Sequence, residues 1–262
     1  MKFEWIIPLL IGWLAGWIVN YISDVLPYTR QLSKPVCLQC GSPFSLSNYL
    51  FFKRCPNGHP RSIRVWFVQI LIIALSVYSY FAPPLKIGYW AGVLLMTYFG
   101  IVFVIDMEHK LILHPTSIAG ALLALALGIT THGLRTTLLG GLGGLIIMLV
   151  FYFFGVLFAR KRAKRMRDNG LDSDDEESLG QGDVILVTIL GFLVGWPLIW
   201  FMIILSTLLG GIISLFLIIG MLINRRYNTD ALMVFIPYGP YFITGATLIM
   251  YFPGFLQALL PV

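Results

Sequence analysis

The chain has 262 residues, of which 58% are hydrophobic and only 11% charged, with a formal net charge of +6. Soluble domains are about 45–50% apolar and about 25% charged, so an ordinary soluble enzyme is excluded. The composition predicts a polytopic membrane protein, and the spans and charges taken in order below make it an all-α helical bundle of about eight transmembrane helices with a small cytoplasmic loop that carries the cysteines.

Trp5–Ile22 is apolar and reads as an uncleaved first span: it lacks a small-residue cleavage site, and its basic flank follows the apolar run. Gly12, Gly16 and Asn20 are the small and polar residues that let membrane helices approach and hydrogen-bond. Asp24 to Arg64 is expected to be a polar loop. Val65–Ala82 is the second span, stopped by Pro83-Pro84, and Ile87–Ile105 is the third, with Asp106 at its end. After a polar turn at Met107–Pro115 come a fourth span near Thr116–Thr131 and a fifth near Thr136–Phe158. The fifth carries Gly140-Gly141-Leu142-Gly143-Gly144, a run suited to close helix packing. Ala159–Gly182 reads as a second large loop, basic and then acidic. Val184–Ile223 is long enough for two spans hinged near Trp196-Pro197, and Pro237–Leu260 holds the eighth.

Fifteen of the 18 Lys and Arg residues fall in the loops after spans one, three, five and seven. The positive-inside rule places those loops in the cytoplasm and both termini outside. The basic balance is therefore a topology signal, with membrane lipid as the surrounding partner and no nucleic acid implied. The three cysteines all lie within Cys37–Cys55, which suits a local metal site better than a disulfide framework.

Gly180-Gln181-Gly182-Asp183 opens the apolar run Val184–Val194, and a carboxylate at the mouth of a span is a functional candidate. Gly180 and Gly182 can shape the backbone around it. Two spans separate Asp106 from Asp183, so both acids emerge on the same, cytoplasmic, face. Two carboxyl groups that share one proton are the aspartic-protease device. Solvated acids at helix ends are the plain alternative, and Glu108, Asp24 and Asp230 stand near junctions as well. A proton- or ion-coupled transporter using the two Asp residues as a relay is the competing class, although relay acids usually sit near the bilayer midplane. A zinc-stapled scaffold without catalysis is a third.

At these residues the chain resembles the prepilin peptidases, the membrane aspartic proteases of the type IV leader peptidase family. Gly16-Trp17-Ile18-Val19-Asn20 with Leu26-Pro27 is similar to the family's amino-terminal Gly-Ser-Phe-x-Asn…Arg-Leu-Pro stretch, Trp17 replacing Ser and Val25 replacing Arg. Ile105–Ile112 resembles the segment with the first catalytic Asp, though Leu113 stands where the family has Pro. Gly180–Asp183 resembles the second, and Ile236-Pro237-Tyr238-Gly239-Pro240-Tyr241 the carboxy-terminal motif. The resemblance implies catalytic Asp106 and Asp183 and selects Asp106 over Glu108. It implies an amino-terminal region over 1–64 and a membrane-embedded peptidase bundle over 65–262. The implied substrates are type IV prepilins or pseudopilins, cleaved after a Gly between a basic leader and an apolar stem, at the cytoplasmic face of the bacterial inner membrane.

Many relatives carry Cys-x-x-Cys twice in the first loop. Here Cys37-x-x-Cys40 is followed by Cys55-Pro56-Asn57-Gly58-His59, so a structural zinc held by Cys37, Cys40, Cys55 and His59 stands beside the alternative of reduced, unliganded thiols. Many relatives also methylate the new amino terminus with S-adenosylmethionine, and for this chain that activity rests on the resemblance alone. The acidic run Asp172–Glu177 is either a solvated loop or an attractor for the basic leader.

Overall fold

The computed structural model describes residues 5–37, 39–84, 86–168, 180–223, 237–252 and 254. It is all-helical; among the described residues the strand-like pairing is an isolated antiparallel bridge between Val36 and Pro43. The helices are α1 (Ile6–Thr29), α2 (Leu46–Leu50), α3 (Ile63–Phe81), α4 (Gly88–His109), α5 (His114–His132), α6 (Leu134–Asp168), α7 (Gln181–Val194), α8 (Leu198–Ile223) and α9 (Gly239–Tyr251). Six of them are long and apolar enough to cross a membrane: α1, α3, α4, α5, the Leu134–Lys161 part of α6, and α8. The shorter apolar helix α7, and α9, fall within the remaining two expected spans.

The chain forms two compact units, Met1–Leu111 and Ile112–Val262. In the first, α1 packs on α3 and α4, and α3 also packs on α4. The α1–α3 seam is close because Gly12 and Gly16 face it. A Cβ on Gly12 would lie 2.8 Å from the Ile73 Cα, and one on Gly16 2.8 Å from the Gln69 Oε1. Side-chain amides and a hydroxyl then bond main-chain carbonyls across the seam, Ser76 Oγ to Pro8 O (2.9 Å), Gln69 Nε2 to Trp13 O (2.8 Å) and Asn20 Nδ2 to Val65 O (3.2 Å). Where lipid tails offer no hydrophobic drive between helices, small residues and such bonds hold them together.

Two helix ends differ from the sequence expectation. Helix α1 continues past Ile22 to Thr29, so Asp24 is helical rather than in a loop. Its charge is met by arginines far along the chain, which removes the reason to end the helix there. The helix stops where Pro27 removes a backbone donor and Arg30 caps it in the left-handed conformation, its N–H on Leu26 O at 3.0 Å. Helix α6 runs through the basic stretch to Asp168. Lys, Arg, Ala and Met are good helix formers, so the chain leaves its apolar span without leaving the helix.

In the second unit α7 packs against α5, α6, α8 and α9 and is buried along most of its length. A short helix that is apolar all round belongs in such an interior. The glycine run of α6 lets the two backbones touch: a Cβ on Gly144 would fall 2.9 Å from Val187 O, and one on Gly191 2.9 Å from the Gly140 carbonyl carbon. The expected hinge lies between α7 and α8, with Gly195 at φ +77° followed by a cis Trp196–Pro197 bond. His132 closes the far end of this group; its Nε2 is 3.0 Å from Leu193 O and its Nδ1 3.3 Å from Thr137 Oγ1.

Candidate functional site

Asp106 lies in the last turn of α4 and is buried. Its carbonyl takes the N–H of Lys110 at 2.9 Å, and Lys110, at φ +54°, turns the chain out of the helix. Pro115 stands in the first turn of the next helix, α5, with Leu113 as its N-cap. The Leu113 position that departs from the family pattern thus sits at a helix start, seven residues beyond Asp106.

Asp183 belongs to the second unit. It is buried in the first turn of α7, which starts after the N-cap Gly180. An acidic side chain there is favoured by the free N–H groups of a helix start. The two flanking glycines differ. A Cβ on Gly180 would lie in ordinary contact, 3.7 Å, from Asp183 Oδ2. On Gly182 it would be pressed to 3.1 Å from the Cβ of Ile112. Gly182 is therefore the position at which a side chain would push the start of α7 away from the residues before α5.

The Cys/His loop is brought together as expected. Cys37 donates its N–H to Ser42 O and Phe44 donates to Pro35 O, both at 2.9 Å, around the Val36–Pro43 bridge. Gly41, at φ +70°, makes the tight return. The second turn is closed by Gly58 N–H to Cys55 O (2.8 Å) and Cys55 N–H to His59 O (3.1 Å), with Gly58 at φ +84°. The result places one donor atom from each of Cys37, Cys40, Cys55 and His59 within 4.8 Å of one another. Cys40 Sγ is 3.8 Å from Cys55 Sγ, and His59 Nδ1 is 3.3 Å from Cys55 Sγ and 4.0 Å from Cys37 Sγ. A tetrahedral zinc with its usual bond lengths needs edges of about 3.8 Å between sulfurs and about 3.5 Å between sulfur and nitrogen. The donor set could hold such an ion. The cysteines form no disulfide.

Hydrogen bonding with the Ser42 hydroxyl and backbone lowers the Cys40 thiol to about 6, whereas burial pushes the Cys55 thiol up. Cys37, Phe44, Tyr49 and Cys55 form a small buried core against which Trp17, Tyr21 and Cys40 pack. Trp17, the residue that departs from the family's Ser, meets Tyr49 edge-on at 6.3 Å and stacks on Tyr21 at 5.6 Å.

Sequence reasoning named Asp24 and Glu108 but missed what they do. Asp24 accepts from Tyr49 Oη at 2.5 Å, pairs with Arg64, and lies 3.6 Å from Arg61 Nη1. Burial, and then the charge of Asp24, pushes the Tyr49 hydroxyl far above the ordinary tyrosine range, so it remains a donor. The Arg61 guanidinium also lies over the rings of Tyr49 (4.0 Å) and Phe44 (4.4 Å). Glu108 Oε1 is 3.0 Å from Arg64 Nε. Partners 25 to 44 residues apart leave no local sequence signal. Asp230, Ile236 and the acidic run Asp172–Glu177 lie outside the described residues.

No curated protein and no solved structure matches the chain. Residues 93–215, just under half of it, match the model of the type IV leader peptidase family. This span runs from α4 into α8 and includes both Asp106 and Asp183. The segment that carries the two acids is therefore the part of the chain that is similar to the type IV leader peptidase family.

Proposed function

We propose that the chain is a membrane aspartic endopeptidase that removes the leader peptide of type IV prepilins and pseudopilins at the cytoplasmic face of the inner membrane. The observation that carries this reading is the burial of two acids at helix ends within the family-matched span. Among the described residues, Asp106 and Asp183 are the buried acids inside the family-matched span, whereas Glu108 is exposed. This supports the choice of Asp106 over Glu108, two residues away.

The chemistry follows from two carboxyl groups holding one proton. The ionised acid takes a proton from water as its oxygen attacks the scissile carbonyl carbon; the protonated acid gives its proton to the carbonyl oxygen. Collapse of the tetrahedral intermediate breaks the C–N bond, with a proton passing to the leaving amine. Gly180 and Gly182 set the backbone that presents Asp183. Neither metal nor nucleotide is needed. A zinc held by Cys37, Cys40, Cys55 and His59 would have four protein ligands and no open position, so its contribution is to staple a loop too short for a core of its own. Residues 1–64 form the accessory region on this reading, and 65–262 the peptidase bundle. No described residue is assigned to S-adenosylmethionine, and methyl transfer rests on the family resemblance.

The test is cleavage of a prepilin by the purified protein beside Asp106→Asn and Asp183→Asn. Both variants are expected to lose at least about 10³-fold, the scale for removing a proton-transfer group. Full cleavage by either would sink the dyad. No cleavage by the unmodified protein across several prepilins would favour the transporter or scaffold readings.

A further inference from the structure

Within the first unit a group of charged side chains lies beside the cysteine loop, and Arg64 is its centre. This arginine is the second residue of α3, and its three nitrogens point three ways. Nη2 pairs with Asp24 on α1, Nη1 donates to Asn20 Oδ1 at 3.4 Å, also on α1, and Nε stands 3.0 Å from Glu108 Oε1 on the last turn of α4. Asp24 is itself fixed by Tyr49 Oη and flanked by Arg61. The side chains of Asp24 and Arg61 are each 9% exposed and that of Arg64 18%, so this end of the group is held in a dry, packed setting. Glu108, at 37%, is the arm that reaches out.

We propose that Arg64 is a positioning residue for the peptidase, acting through Glu108 to fix the carboxy-terminal turn of α4 on which Asp106 rides. The proposal rests on the reading of Asp106 as a catalytic acid. The last turn of a helix lacks partners for its final carbonyls and frays readily. Here it ends in a left-handed residue at Lys110, and a tether two residues beyond Asp106 limits how far it can open. Nη1 and Nη2 seat the guanidinium on α1, and Nε meets Glu108 through charge without a hydrogen bond; an ammonium on a flexible stem would not keep its charge at that place. The Arg64–Glu108 pair reaches solvent through Glu108 and adds little to stability, as ion pairs open to water generally do. Its effect is on placement, and misplacing a reacting group by about 1 Å costs on the order of 10²-fold in rate.

These two properties give the test. The full chain, in detergent or bilayers, is assayed on a prepilin as Glu108→Gln, Arg64→Lys and the double variant, with Asp106→Asn in parallel. Each single change is expected to lower kcat by about 10- to 100-fold with KM within about threefold. The Tm of Glu108→Gln should move by less than about 3 °C. The double variant should be no worse than Arg64→Lys, because both changes cut one tether. A normal kcat for Glu108→Gln, or losses that multiply in the double, overturns the positioning role; should Arg64→Lys fail to fold, Glu108→Gln decides alone. Cleavage surviving in Asp106→Asn overturns both this role and the dyad, whereas a silent Asp106→Asn beside a normal Glu108→Gln overturns the positioning role only.

Discussion

Replacing Asp24 by Asn tests whether the cysteine loop is held to α1 by charge. The carboxylate serves Tyr49, Arg61 and Arg64, and it and Arg61 have side chains only 9% exposed. Removing one partner of a buried ion pair costs about 3–5 kcal/mol, because the other charge is left without compensation. Arg64 keeps Asn20 and Glu108, and Arg61 keeps two ring faces, so the lower end applies. About 3 kcal/mol corresponds to roughly a 100-fold rise in the opening equilibrium. The assay is native-state hydrogen exchange, which reads local opening directly. The amides of Cys37, Phe44 and Cys55, each bonded within the loop, should exchange roughly 100-fold faster in Asp24→Asn. Tyr49→Phe removes one hydrogen bond to a charged acceptor but leaves both arginines, so about fivefold is expected, near 1 kcal/mol. A change below about twofold in Asp24→Asn would refute the anchoring role, and equal effects of the two variants would show that the hydroxyl, not the charge, holds the loop.

Two further outcomes follow from the geometry. A Cβ at 182 is pressed on Ile112, so Gly182→Ala should lower kcat by about tenfold, and Ile112→Ala should restore much of it by clearing the space; no rescue would mean that the glycine matters for some other reason. Purified protein should hold one zinc per chain and lose it in Cys37→Ser. In metal-free protein, alkylation of Cys40 should rise through about pH 6 while that of Cys55 rises only above the ordinary thiol range. The Cys40 thiol lies below its unfolded value of 9.0, so its thiolate adds stability that is fully present above about pH 9 and lost as pH falls through about 6. Cys55 is shifted the other way, so its contribution is present below about pH 9 and lost as pH rises through the folded value. Matching alkylation midpoints for the two thiols would contradict the cluster's geometry.

The spans were legible because lipid imposes a length and a hydropathy that few other constraints can mimic. The glycine run of α6 was legible for the same kind of reason: small residues in a membrane helix have little use except close approach, and Gly140 and Gly144 indeed meet the α7 backbone. The ends of α1 and α6 were not. The first ionisable residue, Asp24, looked like the exit from the membrane because its partners, Arg61 and Arg64, lie 37 and 40 positions away. The Cys/His set was partly legible, since Cys37-x-x-Cys40 has knuckle spacing, whereas the approach of His59 to Cys37 and Cys55 depends on two glycine turns that only the folded loop reveals. Glu108 was weighed as a rival to Asp106, and its pairing with Arg64 is a tertiary fact that no local pattern encodes.

The family-matched segment and the compact units divide the chain differently, and the difference has a physical content. The match begins at residue 93, inside α4, whereas α4 folds in one unit with α1 and α3. The helix that carries Asp106 therefore depends on residues before the match for its packing. Gly100 lies against Val19 and Ile72, and Glu108 finds its counter-charge on Arg64. A chain of contacts then runs from Cys55 through Tyr49 to Asp24, from Asp24 to Arg64, and from Arg64 to Glu108. Each link is short, and the inner ones are nearly dry. If Arg64 positions the end of α4 as proposed, the loop acts on that end by helping to fix the arginine. The sequence departures point the same way. Trp17, where the resembled motif has Ser, packs on the loop core and so adds an aromatic contact at the first link.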